Sequence, residues 1–290
     1  MKSKTALLMV NPRSRQGRNS LPQVRNLLAR AGVGFVEPSF GESDTASDII
    51  RKRASEVDLV IMGGGDGSLN GAAQGVLDTG LRVGVLPLGT ANDFARTLGL
   101  PPDLPSAVDV IVKGKTKRVD IGLANGNPFF NVASIGFSAD LAMSLTEDAK
   151  KRWGKLGYAI VAAKLLKGSR LFTATLDHDG QVEQFKTLQV SVGNGRFYGG
   201  GMTVHADATV TDGLLDFYSL EVDHWWRLLR LLPSLRRGTH GEWDDVRAFS
   251  TKALTIHTSK SRPVNLDGEL RTSTPVEFSI LEQAIEVYVP

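Results

Sequence analysis

The stretch Gly63-Gly64-Gly65-Asp66-Gly67-Ser68-Leu69-Asn70 limits what this chain can fold into more than any other. It sets a glycine run and an acid directly between an apolar strand pattern, Asp58 to Met62, and an amphipathic helical pattern. Glycines at such a junction let backbone N–H groups approach an anion, and the helix N-terminus adds positive potential. The run differs from a Walker loop, which would end in Gly-Lys-Ser/Thr, and from a dinucleotide fingerprint spaced G-x-G-x-x-G. Asp66 is the discriminating residue. A carboxylate beside phosphates makes physical sense with a cation or a water network between them. The plainer reading is an ordinary glycine-rich turn with Asp66 as a helix cap.

The surrounding pattern is that of an α/β domain. Ala6 to Val10, Asp58 to Met62 and Arg82 to Leu86 are expected to be buried parallel strands. Between them, Leu21, Val24, Leu27, Leu28 and Ala31 share one helical face, as do Leu69, Ala72, Ala73, Val76 and Leu77. From about residue 125 the texture turns to short Phe- and Val-rich runs: Phe129 to Ile135, Leu171 to Asp177, Lys186 to Val192, Leu214 to Leu220, Ala253 to His257, Val276 to Leu281 and Ile285 to Val289. Such spacing predicts a sandwich-like β domain. With 290 residues, two domains are expected.

Composition narrows the function classes. A formal charge of +3, from 34 Lys and Arg against 31 Asp and Glu, is too small an excess to argue for nucleic acid. The absence of cysteine excludes disulfides, cysteine-ligated zinc and a cysteine nucleophile, and is compatible with a cytoplasmic protein. No stretch approaches the roughly 20 apolar residues of a membrane-spanning helix. Two segments read as candidate contacts with a peripheral membrane surface. One is His224 to Arg237, rich in Trp, Leu and Arg, and the other is Lys150-Lys151-Arg152-Trp153-Gly154-Lys155. A connecting helix and a solvated charge run are the bland alternatives.

A second loop, Leu86-Pro87-Leu88-Gly89-Thr90-Ala91-Asn92-Asp93-Phe94-Ala95-Arg96, also follows a strand and precedes a helix. Both loops are expected at the carboxyl ends of neighbouring parallel strands, where α/β sheets bind ligands. Together these segments resemble the diacylglycerol kinase catalytic domain family, related to sphingosine and ceramide kinases, in its soluble bacterial branch. Asn11-Pro12-x-Ser14, Val119 to Gly122, Asn131 to Gly136, Gly199 to Met202, Thr211 to Asp216 and Asp267-Gly268-Glu269 match the family pattern in order. The resemblance therefore spans essentially the whole chain. It implies an α/β plus all-β fold. Residues 1–123 and 283–290 would form a doubly wound α/β domain of the phosphofructokinase and NAD kinase kind, and residues 124–282 a β-sandwich that binds lipid. The final strand, Ile285 to Val289, would return to the first domain.

The resemblance also implies roles. ATP would be held by Asn11, Ser14, Gly63, Gly64, Gly65, Gly67, Ser68, Thr90 and Asn92. Magnesium would be organised by Asp66 and Asp93. A second, structural magnesium would involve Asp212 and the backbone at Leu214. Asp267 would act as general base toward a lipid hydroxyl, with Glu269 assisting. Two residues apart on an extended strand, those two carboxylates would point to the same side, while Asp267-Gly268 is also a strong hairpin-turn signal, compatible with a catalytic loop. Arg13, Arg15 and Arg18 are alternatives for offsetting phosphate charge. Ser68 replaces a Thr of the family pattern, Gly71 a glutamate and Arg15 a glycine. Competing readings are a NAD kinase-like enzyme and a non-catalytic lipid or nucleotide binder. The lipid's identity and a homodimeric assembly stay open at this level.

Overall fold

The computed structural model describes residues 5–10, 15–38, 44–144, 161, 164–165, 168–205, 208–222 and 225–290, with backbone alone at Arg15, Trp225, Trp226, Leu228, Leu229 and Leu232. The chain forms two compact units. The first comprises residues 1–121, 197–201 and 281–290, and the second residues 122–196 and 202–280.

In the first unit, strands β1 (Thr5–Val10), β2 (Gly34–Val36), β3 (Leu59–Gly64) and β4 (Arg82–Pro87) form a parallel sheet in the order β2-β1-β3-β4. Every residue of β3 is buried, which is why it reads as a continuous apolar run rather than an alternating one. The connecting helices are α1 (Arg15–Arg30), α2 (Ala46–Arg53), α3 (Asp66–Thr79), α4 (Asp93–Thr97) and α5 (Leu104–Lys113). Helix α2 opens with a capping box, Thr45 with Asp48, and α5 with Asp103 accepting from the Ser106 N–H. Helix α3 ends at Gly80 in the left-handed conformation, φ 65°. Helices α2 and α3 meet closely. The Ser47 hydroxyl donates to the Gly71 carbonyl (2.9 Å) and accepts from the Gly75 N–H (3.0 Å). A Cβ on Gly75 would lie 2.7 Å from the Ser47 backbone, so only glycine allows this approach.

The chain passes to the second unit along β5 (Thr116–Ala124). There follow β6 (Asn127–Phe129), β7 (Val132–Gly136), helix α6 (Phe137–Ser144), β8 (Phe172–His178), β9 (Gln181–Thr187), β10 (Gln189–Gly193), β11 (Phe197–Tyr198), β12 (Met202–Thr203), β13 (Leu215–Leu220), helix α7 (Trp225–Arg237), β14 (Val246–Thr251), β15 (Ala253–Thr258), β16 (Pro263–Leu266), β17 (Glu269–Ser273) and β18 (Val276–Tyr288). One antiparallel layer runs β14-β13-β10-β7-β16-β17. The other is made of β9, β8, β15 and the first part of β18. Between the layers lies a core in which Ile135, Val190, Phe217 and Leu266 from one sheet face Leu176, Phe185, Ile256 and Phe278 from the other. Phe185 and Phe217 meet edge to face, with centroids 6.3 Å apart.

Several expectations are refined. The run Lys186 to Val192 is two strands, broken at Leu188, whose N–H donates to the Leu220 carbonyl. Val276 to Leu281 and Ile285 to Val289 are one continuous strand, β18, whose last part belongs to the first unit, where Val287 pairs in parallel with Val83 of β4. Residues 197–201, expected in the second domain, pack into the first unit. Lys150 to Lys155 lie outside the described residues. In α7, Leu231, Ser234 and Leu235 are buried, and Ser234 Oγ accepts from the Trp243 indole at 3.1 Å. That face packs within the second unit, while Arg230, Arg236 and Arg237 are exposed.

Candidate active site

The two glycine loops touch each other through their backbones. Strand β3 ends at Gly64, and Gly65, in extended conformation, precedes α3, its carbonyl accepting from the N–H groups of Ser68 and Leu69. The Leu88 N–H, just beyond β4, donates to the Gly64 carbonyl at 3.0 Å. At the next residue a Cβ on Gly89 would lie 2.4 Å from the Gly65 Cα, a separation no side chain allows. Gly89 is therefore needed for the loops to meet at all. A Cβ on Gly64 would meet the Ser68 side chain just as tightly, 2.5 Å from its Oγ. The result is a bare surface: Gly67 and Thr90 are exposed, and Gly65, Asp66 and Ser68 half-buried.

Asn92 fixes the second loop. It takes the left-handed conformation, φ 51°, which Asn tolerates better than most residues. Its Oδ1 accepts from the Gly89 N–H (2.8 Å) and its Nδ2 donates to the Gly89 carbonyl (2.9 Å). The amide expected to contact nucleotide thus braces the loop that would make that contact.

Asp66 links the two loops. Its Oδ2 accepts from the Asp93 N–H (3.1 Å) and its Oδ1 from the Phe94 N–H (3.0 Å), so it caps the short helix α4. Asp93 is only 4% exposed. Its Oδ2 accepts from the Gly200 N–H at 2.8 Å, and its Oδ1 has no partner among the described residues. Burial pushes the Asp93 carboxyl above the usual carboxylate range, the nearby Asp66 charge adds to that, and the Gly200 N–H and Arg96 oppose it. Gly199, Gly200 and Gly201 are all at positive φ (58°, 84° and 112°), which turns the Gly200 N–H toward Asp93. From sequence the triplet is expected only as part of the family pattern, with no role of its own. Three consecutive glycines were the available signal.

Asp267 lies in the second unit, and of the two readings of its segment the turn, not the extended strand, is observed. Asp267 (φ 51°) and Gly268 (φ 100°) form the turn between β16 and β17, and Glu269 is the first residue of β17. Two successive positive φ values reverse the chain, so the alternation that would align the two carboxylates does not hold here. Instead the Asp267 carboxylate is inserted into the β6–β7 connection. Oδ2 accepts from the Phe130 N–H (2.7 Å), and Oδ1 from the N–H groups of Asn131 (2.9 Å) and Val132 (3.1 Å). Glu269 is exposed.

Asp212 is exposed and braces its own turn, accepting from the Thr209 N–H and hydroxyl and from the Leu214 N–H (3.0 Å). Among the described residues no cluster of three or more His, Asp or Glu side chains could hold a metal. Any cation here would rely on backbone, water or phosphate oxygens as well. Asn11, Ser14 and Arg13 lie outside the described residues.

The comparisons with known proteins agree with this layout. Residues 5–124 match the family model described as the diacylglycerol kinase catalytic domain, and residues 131–289 the model described as the YegS C-terminal NAD kinase beta sandwich-like domain. The chain belongs to the diacylglycerol kinase family. Relatives named diacylglycerol kinase include one from Staphylococcus carnosus, 32% identical over 295 residues, covering 99% of this chain and 95% of the relative. Another from Bacillus subtilis is 31% identical, with 99% and 97% covered, and one from Mycobacterium tuberculosis is 33% identical, with 91% and 87% covered. A crystal structure titled as a diacylglycerol kinase from Bacillus anthracis aligns with a TM-score of 0.78 at 25% identity, over 100% of this chain and 98% of that one. A further structure from the same organism reaches 0.83 at 27%, over 100% and 96%. The family's two domains are the α/β unit with its paired glycine loops and the β-sandwich described above.

Proposed function

We propose that this chain is a lipid kinase that transfers the γ-phosphate of ATP, with magnesium, to the hydroxyl of a diacylglycerol-like lipid. The observation that carries the reading is Asp93, a buried carboxylate with one oxygen unpartnered among the described residues, set beside Asp66 where two glycine loops meet. A buried polar atom without a partner costs stability unless a ligand takes it up. Magnesium bound with nucleotide phosphates needs only one or two protein carboxylates, since water and phosphate fill the other positions. Asp93, with Asp66 behind it, fits that donor set. A bound magnesium ion would supply neutralisation of phosphate charge.

The chain's own residues would do the rest. Backbone N–H groups at the start of α3, Gly65 to Ser68, with the Thr90 hydroxyl, would bind phosphate oxygens, joined by Asn11 and Ser14. Asn92 would keep the Gly89 loop shaped to receive them. Transfer forms a bond from the lipid hydroxyl oxygen to the γ-phosphorus as the bond to the bridging oxygen of ADP breaks. The hydroxyl proton would pass to Asp267, with Glu269 assisting. Asp212 and the backbone near Leu214 would hold a structural magnesium, a carboxylate and carbonyl donor set that suits a hard cation. Among the described residues no helix is long and apolar enough to cross a membrane, so the lipid would be met at a membrane surface.

The test uses labelled ATP and magnesium with a panel of micellar acceptors, diacylglycerol and NAD included. Label is expected in lipid, and Asp93→Asn should lose it. In thermal scans magnesium with ATP should raise the midpoint of the wild type but not of Asp93→Asn. Label in NAD alone would support the NAD kinase-like alternative. A folded protein that labels no acceptor, and whose midpoint ignores magnesium and ATP, would remove the kinase reading.

A further inference from the structure

The second unit carries a cavity of about 900 Å³ on the side of α6, and no residue lining it has a role in the chemistry above. Its volume falls near the top of the roughly 300–1,000 Å³ usual for small-molecule sites. Phe137, Met143, Leu165 and Phe172 supply much of an apolar lining, and Met143 is 51% exposed, high for a large apolar side chain. Among the described residues, the charged side chains lining the same cavity are Lys164, Arg170, Arg262 and Asp140, three cations against one carboxylate.

Among the described residues, those cations keep donors available. Lys164 and Arg170 are exposed and make no ion pair or side-chain hydrogen bond among the described residues. The Arg262 guanidinium lies over the Phe172 ring, 4.1 Å from its centroid, a stacking that leaves its N–H donors at the ring's edge available. Burial raises the carboxyl pKa of Asp140, and the charge of Arg262 opposes that shift. An apolar chamber rimmed by two or three donors of positive charge is complementary to a molecule with a hydrocarbon body and an anionic head.

We infer that this cavity binds single molecules of a phosphate-bearing lipid, hydrocarbon against Phe137, Leu165 and Phe172 and phosphate against Lys164 and Arg170. A neutral lipid offers nothing to these cations. The phosphorylated product of a lipid kinase belongs to the favoured class, as does any anionic phospholipid. The inference goes beyond the kinase reading and is tested by binding alone, so either can fail without the other.

Water-soluble dioctanoyl lipids, kept below their micellar concentrations, are titrated by calorimetry into the full chain. Dioctanoyl phosphatidate and dioctanoyl phosphatidylglycerol are expected to bind at least about tenfold more tightly than dioctanoylglycerol, the factor that one charge-assisted hydrogen bond supplies. The double variant Lys164→Ala, Arg170→Ala should erase that preference, and Lys164→Arg should keep it. Both sites are exposed, and unchanged circular dichroism will verify that the fold survives. Inorganic phosphate should neither bind comparably nor displace the lipid. Equal affinity for neutral and anionic lipid, a preference that survives the double variant, or phosphate binding as tightly as phosphatidate would each overturn the proposal.

Discussion

Replacing Asp66 with alanine separates two roles that the sequence alone merges. If the acid served only a cation, its removal from a permissive glycine loop would leave stability untouched. The structure ties both of its oxygens to backbone, to the N–H groups of Asp93 and Phe94. Losing a helix cap costs about 0.5–2 kcal/mol, and a hydrogen bond to a charged group contributes about 1.5–3 kcal/mol. Two such bonds at a half-buried position put the expected loss for Asp66→Ala at about 2–4 kcal/mol, as the contributions are not additive. At roughly 2–4 °C per kcal/mol, the unfolding midpoint should fall by at least about 4 °C. Differential scanning calorimetry in chelator, so that no metal contributes, measures this directly. A midpoint within 1 °C of the wild type would refute the capping argument and return Asp66 to a purely ligand-binding role. Loss of phosphoryl transfer is expected in either case, so stability is the discriminating measurement.

Three further outcomes are expected. Gly71→Ala should stabilise the chain by about 0.5–1 kcal/mol in denaturant titration, since Gly71 lies inside α3, takes no left-handed conformation and has nothing within 4 Å of an added Cβ. A loss of stability there would contradict that packing. Asp267→Asn turns an N–H donor toward either the Phe130 N–H or the Asn131 and Val132 pair, so the second unit should lose about 1.5–3 kcal/mol. Its turnover should also fall by about 10²–10⁴ if Asp267 takes the hydroxyl proton, and turnover within a few-fold of wild type would remove it from the chemistry. His240 is 1% exposed, and burial lowers its pKa to about 4, so the folded state holds it neutral. Because the unfolded chain binds that proton more readily, stability should decline as pH falls from about 6.5 toward about 4, by about 3 kcal/mol from this one group. His240→Phe should flatten that slope in urea titrations, and an identical slope in the variant would show that His240 does not titrate on unfolding.

What the sequence disclosed followed from periodicity and from glycine placement. Asp58 to Met62 and the face from Leu69 to Leu77 read as strand and helix, and, Asp58 apart, they fall in β3 and α3, because burial on both faces and on one face leaves different patterns. The two loops were visible as motifs because glycine is tolerated where backbones touch and few other residues are. Contacts formed between distant segments left no such trace. Nothing near Asp66 in sequence shows that its carboxylate caps a helix 27 residues later, or that Gly200 donates to Asp93 across 107 residues. Asp267-Gly268 was legible as a turn from its residue types, but the three N–H groups it collects come from residues 130–132. Lys164, Arg170 and Arg262 belong to no sequence motif, and only folding sets them around one apolar chamber.

Strand β18 has a consequence for how the chain is made. Val287 supplies the parallel neighbour of β4, so the hydrogen-bonding edge of β4 has no partner on that side until the last ten residues exist. At about 5–20 residues per second, the 169 residues from 122 to 290 take roughly 8–34 s to synthesise. During that interval an otherwise complete α/β sheet presents an unpaired, largely apolar strand to its surroundings. Neither unit is a contiguous stretch of the gene, so removing residues 281–290 should yield an aggregation-prone protein rather than a smaller folded one. Recovery of a soluble, cooperatively unfolding fragment lacking them would show that the edge closes without β18.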